Sequence, residues 1–218
     1  MLNKEIINKT VEFLYKNFDE SEYLTNNPDS KAYRLEHSFR VANIGRQIAE
    51  KEGFDETEMT VACLLHDISY CETFGEDSWI NHGRRAAMIA RPFLTELGFA
   101  KDRVDDICYG IAIHVDDLAD FEGERTPFAL TVGDADNIDR FDAYRIHETL
   151  CAEHFLDLDL AGKTENVKNK TAKLKKWEAQ TFSTETAERM WRERISFYLL
   201  FYAKLSSQLN NSKGIYGL

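Results

Sequence analysis

Three prolines and eleven glycines are all that interrupt 218 residues. Alternation of apolar with polar residues is almost absent, which argues against sheets and leaves an all-α fold as the expectation. Cysteine is scarce as well. The four present, Cys63, Cys71, Cys108 and Cys151, show no C-x-x-C spacing; Cys63 and Cys108 fall in helical patterns like small apolar residues, and a reducing cytoplasm suits the set. Basic residues are outnumbered, 27 against 38 acidic, for a formal net charge of −11. A nucleic-acid polymer or an anionic membrane as main partner would demand a basic face instead. No apolar run approaches the length of a membrane span, and the N-terminus, with Lys4, Glu5 and Lys9 among its apolar residues, has no signal-peptide core.

What remains is enough for one domain, residues 1–218, with a sizeable core and no need of staples. Residues 3–17 place Ile7, Val11, Leu14 and Tyr15 on one helical face, and Asn17 to Ser30 reads as a polar loop. A helix over about Ala32–Glu52 is stopped by Gly53, and Met59 to Asp67 reads as a buried helix. Ile68 to Asp77, containing Gly75, is expected as a loop beside it. Another helix starts near Ser78 or Asn81 and is kinked or restarted at Pro92; Asp102 then serves as an N-cap. Residues 115–126 form an acidic loop, and Pro127 opens the next helix. Residues 161–176 are Lys-rich and read as a surface helix. The long helix 184–209, with Trp191, Ile195, Tyr198 and Tyr202, is expected to close the core, and its aromatic face would also suit a homodimer.

Four of the apolar stripes carry a histidine. They are His37 with Val41, Ile44 and Ile48; Met59, Ala62 and Cys63 with His66 and Asp67; His82 with Ala86, Ile89 and Phe93; and Val104, Ile107 and Ile111 with His114. A buried carboxylate is costly unless it is paired or holds a metal. Between Asp134 and Asp139 three carboxylates crowd two turns, which repulsion disfavours unless some reach solvent, cap neighbours or meet a cation. The inward polar groups are therefore His37, His66, Asp67, His82, His114 and one aspartate of that cluster. Nitrogen and oxygen donors without thiolate suit Mn, Fe, Co, Ni or Zn and suit Mg or Ca poorly. Neighbours on a helix point about 100° apart, so His66 and Asp67 can grip one ion, or Asp67 can bridge two. A bridged pair points to metal-assisted hydrolysis of a phosphate ester. Of the six histidines, His147 and His154 stay outside this pattern.

The order His37, His66-Asp67, Asp136 resembles the H...HD...D signature of the HD-domain metal-dependent phosphohydrolases, an all-helical superfamily, over about residues 30–150. The segments Leu65-His66-Asp67-Ile68-Ser69-Tyr70, Asn81-His82-Gly83 and Asp134-Ala135-Asp136-Asn137-Ile138-Asp139 look most like small bacterial hydrolases of that superfamily. The resemblance implies a helical bundle with the metal site in its core and residues 151–218 as a helical extension packing on it. It implies His37, His66, Asp67 and Asp136 as ligands of a first ion, with Asp134 as the fallback for the last. His82 and His114 match the histidines that hold a second ion in binuclear members, where Asp67 would bridge; one or two ions per chain are expected. Arg34 resembles the arginine that often precedes the first ligand, and its planar fork would match phosphate oxygens. The implied activity is attack of metal-bound hydroxide, oriented by Asp67, on a nucleotide or other small phosphate ester. Tyr70 stands where HD-type 5'-deoxynucleotidases have a Glu, the Glu-Asp pair of the alarmone hydrolases is missing, and so is the Gly-Tyr-Pro signature of the cyclic-di-GMP phosphodiesterases. Rival readings are a non-catalytic sensor of metal or nucleotide and an HD-type diiron oxygenase.

Overall fold

The structure, a computed structural model, describes residues 2–72 and 78–214. The described residues contain ten α-helices and no strand: α1 (Lys4–Asp19), α2 (Glu22–Asn26), α3 (Pro28–Glu52), α4 (Glu56–Leu65), α5 (Ser78–Glu96), α6 (Lys101–Ile113), α7 (Pro127–Asp139), α8 (Ala143–Ala152), α9 (Leu160–Trp177) and α10 (Glu185–Asn211). Short 3-10 turns follow α4, at Ile68–Cys71, and α8, at Phe155–Asp157. None of these helices is long and apolar enough to cross a membrane.

Most boundaries follow local chemistry. Asn3 and Asp55 cap α1 and α4 with their side chains, and Gly53 ends α3 in the left-handed region at φ 76° that glycine adopts without strain. Three expectations are corrected. The polar segment after Asn17 contains the short helix α2, capped by Ser21, and α3 begins at Pro28, whose fixed φ suits a first helical position. The cap of α6 is Ala100 rather than Asp102, which lies in the first turn. α5 runs through Pro92 without restarting. The expected loop over Ile68–Asp77 opens with the 3-10 turn, and its stretch 73–77, Gly75 included, lies outside the described residues.

The chain divides into two compact units, Met1–Asp139 with Ser183–Ala187, and Arg140–Phe182 with Glu188–Leu218. In the first unit α4 is central. Every residue from Met59 to Ser69 is buried, because α1, α3, α6 and α7 all pack on this helix and α5 packs on α6. The stripe seen in the sequence is thus one face of a helix buried all round. Leu64, Leu65, Ile68, Ile48 and Ile107 are at most 1% exposed, each worth roughly 1.5–3 kcal/mol of burial. In the second unit Ile146, Val167 and Leu174 are buried, Trp191 packs edge-on against Phe141 with centroids 4.5 Å apart, and Tyr198 stacks on Tyr202.

Candidate metal centre

The site grows out of helix ends. α4 stops at Leu65 and α6 at Ile113, so His66 and His114 are the C-cap residues of their helices. The last carbonyls of a helix lack partners, and each histidine supplies one. His66 Nδ1 donates to Cys63 O and His114 Nδ1 to Ile111 O, both at 2.7 Å. With Nδ1 so engaged, each ring turns Nε2 and its lone pair inward. α3 contributes His37 in the same way, except that its Nδ1 donates to the carboxylate of Asp139 on α7 at 2.8 Å. Arg40, one turn along α3, holds that carboxylate from the other side, with Nε 2.9 Å from Oδ1. α5 brings His82 near its N-terminal end, and Ser69 Oγ donates to the His82 carbonyl, tying the 3-10 turn to α5.

The inward atoms meet at Asp67. Its Oδ2 lies 3.7 Å from both His37 Nε2 and His66 Nε2, while its Oδ1 lies 3.2 Å from His82 Nε2 and 3.7 Å from His114 Nε2. Asp136 Oδ1 completes the first group, 3.1 Å from His37 Nε2 and 3.9 Å from His66 Nε2. His37, His66 and Asp136 lie close enough to share one ion; His66, Asp67 and His114 form a second such group, which competes for the single Nε2 lone pair of His66. All are buried.

Inside the cluster, ring nitrogens crowd one another and one carboxylate oxygen is left without a donor. Nε2 of His37 faces Nε2 of His66 at 3.3 Å, and Nε2 of His82 faces Nε2 of His114 at 3.0 Å. Asp67 Oδ1, fully buried, accepts no hydrogen bond. Burial opposes charge on His37, yet hydrogen bonds to Asp136 and Asp139 overcome it and push the imidazole up to about 9. Burial pushes His66 down to about 4. His37 therefore carries a proton in the metal-free protein, standing between Nε2 and Asp136 Oδ1 where an ion would sit, and His66 opposite stays neutral. Burial would also raise Asp67, but the surrounding imidazoles and Arg34 hold it well below the usual carboxylate range. Lone pairs, carboxylates and an orphaned buried oxygen of this arrangement fit one or two divalent ions with nitrogen and oxygen preferences.

Sequence reasoning placed His37, His66, Asp67, His82, His114 and Asp136 together, and the structure brings all six to one cluster. Asp134, the fallback, is elsewhere: its carboxylate accepts from the backbone N–H and hydroxyl of Ser183. Arg34 is at the rim, a quarter exposed, with Nη1 donating to Asp67 Oδ2 at 2.8 Å and its guanidinium 3.4 Å over the Tyr70 ring. Asp139 and Arg40 were missed as orienting groups. Each falls three residues after an inward residue, Asp136 and His37, but that spacing alone does not tell that Asp139 meets His37 and Arg40. Tyr33, four residues before His37 on the same helix, walls that ring at 5.9 Å, and Tyr70, for which local spacing carried no signal, walls His82 at 5.0 Å.

Comparison with known proteins agrees with this fold. A crystal structure of a predicted HD superfamily hydrolase from an uncultured Thermotogales bacterium is similar in fold, with a TM-score of 0.64 and 21% identity over 92% of this chain and 91% of that one. No curated protein matches the chain. Residues 34–143, half of the chain and the stretch that holds all six inward residues, match the HD domain, and the chain belongs to the HD-domain family.

Proposed function

We propose that this chain is a phosphohydrolase of nucleotides or other small phosphate esters, dependent on one or two divalent transition ions, and that His37, His66, Asp67, His82, His114 and Asp136 hold them. The observation that carries the reading is the division of labour at Asp67, whose two oxygens face separate histidine pairs. Ions at those pairs would supply Lewis acidity to a phosphate oxygen and a water acidic enough to attack near neutral pH. The protein's own contribution is position. Asp67 sets the spacing between the two pairs, and the Arg40–Asp139–His37 chain fixes one ring in the ligating tautomer. Arg34, held flat on Tyr70 with one N–H on Asp67, has further donors of its planar fork with which to meet a phosphate at the rim. The acidic balance of the chain favours a small substrate over a nucleic-acid polymer.

The test is hydrolysis of a panel of phosphomonoesters and phosphodiesters by chelator-treated protein with Mn, Fe, Co, Ni, Zn or Mg added back. Turnover restored by a transition ion, and lost in Asp67→Asn, is the expected result. Absence of turnover on every ester with both ion positions loaded would overturn the reading in favour of a sensor or an oxygenase.

A further inference from the structure

α10 has two apolar faces, and only one is covered. Trp191, Ile195, Tyr198 and Tyr202 are buried inside the second unit. The opposite side of the helix carries Glu193, Phe197, Leu200 and Lys204, spaced four, three and four, which at about 100° per residue keeps them in one stripe about 60° wide. All four are exposed, Phe197 to 45% and Leu200 to 54%. Among the described residues neither Glu193 nor Lys204 has a charged partner, whereas Glu188 and Arg192, which lie off the stripe, pair with each other. Single exposed apolar side chains are ordinary on a protein surface. Two that stand one turn apart at heptad spacing, flanked by unpaired charges of opposite sign, make a helix-pairing seam.

The stripe is its own complement. Its midpoint falls between residues 198 and 199, with Phe197 as far before it as Leu200 is after it, and Glu193 and Lys204 are equidistant from it in the same way. A second α10, turned end for end about a twofold axis through that midpoint, sets the partner's Leu200 against Phe197 and the partner's Lys204 against Glu193, and each contact recurs by symmetry. A parallel alignment would instead oppose glutamate to glutamate and lysine to lysine. Ser196 and Ala203, small and exposed beside the stripe, let the two backbones approach.

We propose that the exposed stripe of α10 docks a second copy of this chain, α10 against α10, antiparallel about a twofold axis. The aromatic face expected from the sequence to serve a homodimer lies inside the second unit, so pairing falls to the face behind it. A seam of one helix pair is smaller than the roughly 1,200 Å² of a standard stable interface, and a dissociation constant of about 10–100 μM is expected.

Sedimentation equilibrium of the full chain from about 5 to about 500 μM, a range that brackets that constant, tests the assignment independently of any hydrolytic activity. The wild type should pass from monomer to dimer. Leu200→Asp should stay monomeric throughout with unchanged circular dichroism. Glu193→Lys and Lys204→Glu each oppose like charges twice per dimer, so each should weaken association about tenfold, more at low salt than at high. The double variant Glu193→Lys with Lys204→Glu should restore it. A wild-type chain monomeric at about 500 μM, a dimer that survives Leu200→Asp, single reversals without effect, or a double variant no tighter than the singles would overturn the proposal.

Discussion

Loading the HD centre should expel one proton, and that proton comes from His37. In the metal-free protein its imidazole is pushed up to about 9, against the effect of burial, by Asp136 on one nitrogen and Asp139 on the other. An ion that takes Nε2 must remove the proton there. At pH 7 that group lies about two units below its midpoint, so displacement costs about 2.7 kcal/mol and the apparent affinity is roughly a hundredfold weaker than well above pH 9. His66, pushed down to about 4 by burial, adds no such dependence above pH 5. Affinity for Mn²⁺ should accordingly rise about tenfold per pH unit between pH 6 and 8.5. Calorimetry at pH 7 in two buffers of different ionisation enthalpy should report about one proton released for the first ion. Asp139→Asn removes one of the two carboxylates that hold the proton, so it should flatten the slope as well as weaken binding. An affinity that is flat from pH 6 to 8.5, with no proton release, would refute the reasoning.

The same group makes the metal-free protein sensitive to base. His37 titrates near 6.5 when unfolded and about 9 when folded, so its contribution is complete below pH 6.5 and is lost as pH rises through 9. That is at most about 3.4 kcal/mol, or on the order of 10 °C in Tm for a chain of this size, and the metal-loaded protein should not show the drop. Gly83→Ala should disturb the His82–His114 pair, because an added Cβ would stand 2.7 Å from Ala112 O and 3.0 Å from both Ile111 O and His114 Nδ1, and backbone cannot give way cheaply. A loss of about 1–3 kcal/mol together with weaker uptake of the second ion is expected, and wild-type melting with full metal content would count against the packing argument. Asp134→Ala should lower stability by about 1–3 kcal/mol through the bonds lost to Ser183 while leaving metal content unchanged; reduced metal would return Asp134 to the ligand set.

Much of the site was legible because helical periodicity is a property of the sequence itself. His37, His82 and His114 could be placed inward from their spacing to Val41, Ala86 and Ile111 alone. The exact ends of helices were less legible. α4 stops two residues before Asp67, since the imidazole of His66 takes the Cys63 carbonyl and the chain then enters a 3-10 turn, and nothing in the local pattern distinguishes this from a helix running on. Choosing between Asp134 and Asp136 was beyond the sequence as well. Two residues apart they point to opposite sides of α7, and only the position of α3 decides which side holds His37. Asp139, Arg40 and Tyr70 act through contacts between α7 and α3, or between α3 and the turn after α4. Such pairings depend on how helices pack, which one sequence does not record. The boundary between the two compact units has no Gly-, Pro- or Ser-rich tract to mark it.

Elemental analysis of protein purified without chelator addresses the arrangement around Asp67 most directly, with wild type and Asp67→Ala compared and helical content checked by circular dichroism. Because both oxygens of that one carboxylate face histidine pairs, the wild-type chain should carry between one and two transition-metal ions in its HD centre and the variant should lose them while staying helical. Wild-type metal content in a folded Asp67→Ala chain, or no metal in the wild type under any loading condition, would contradict the account.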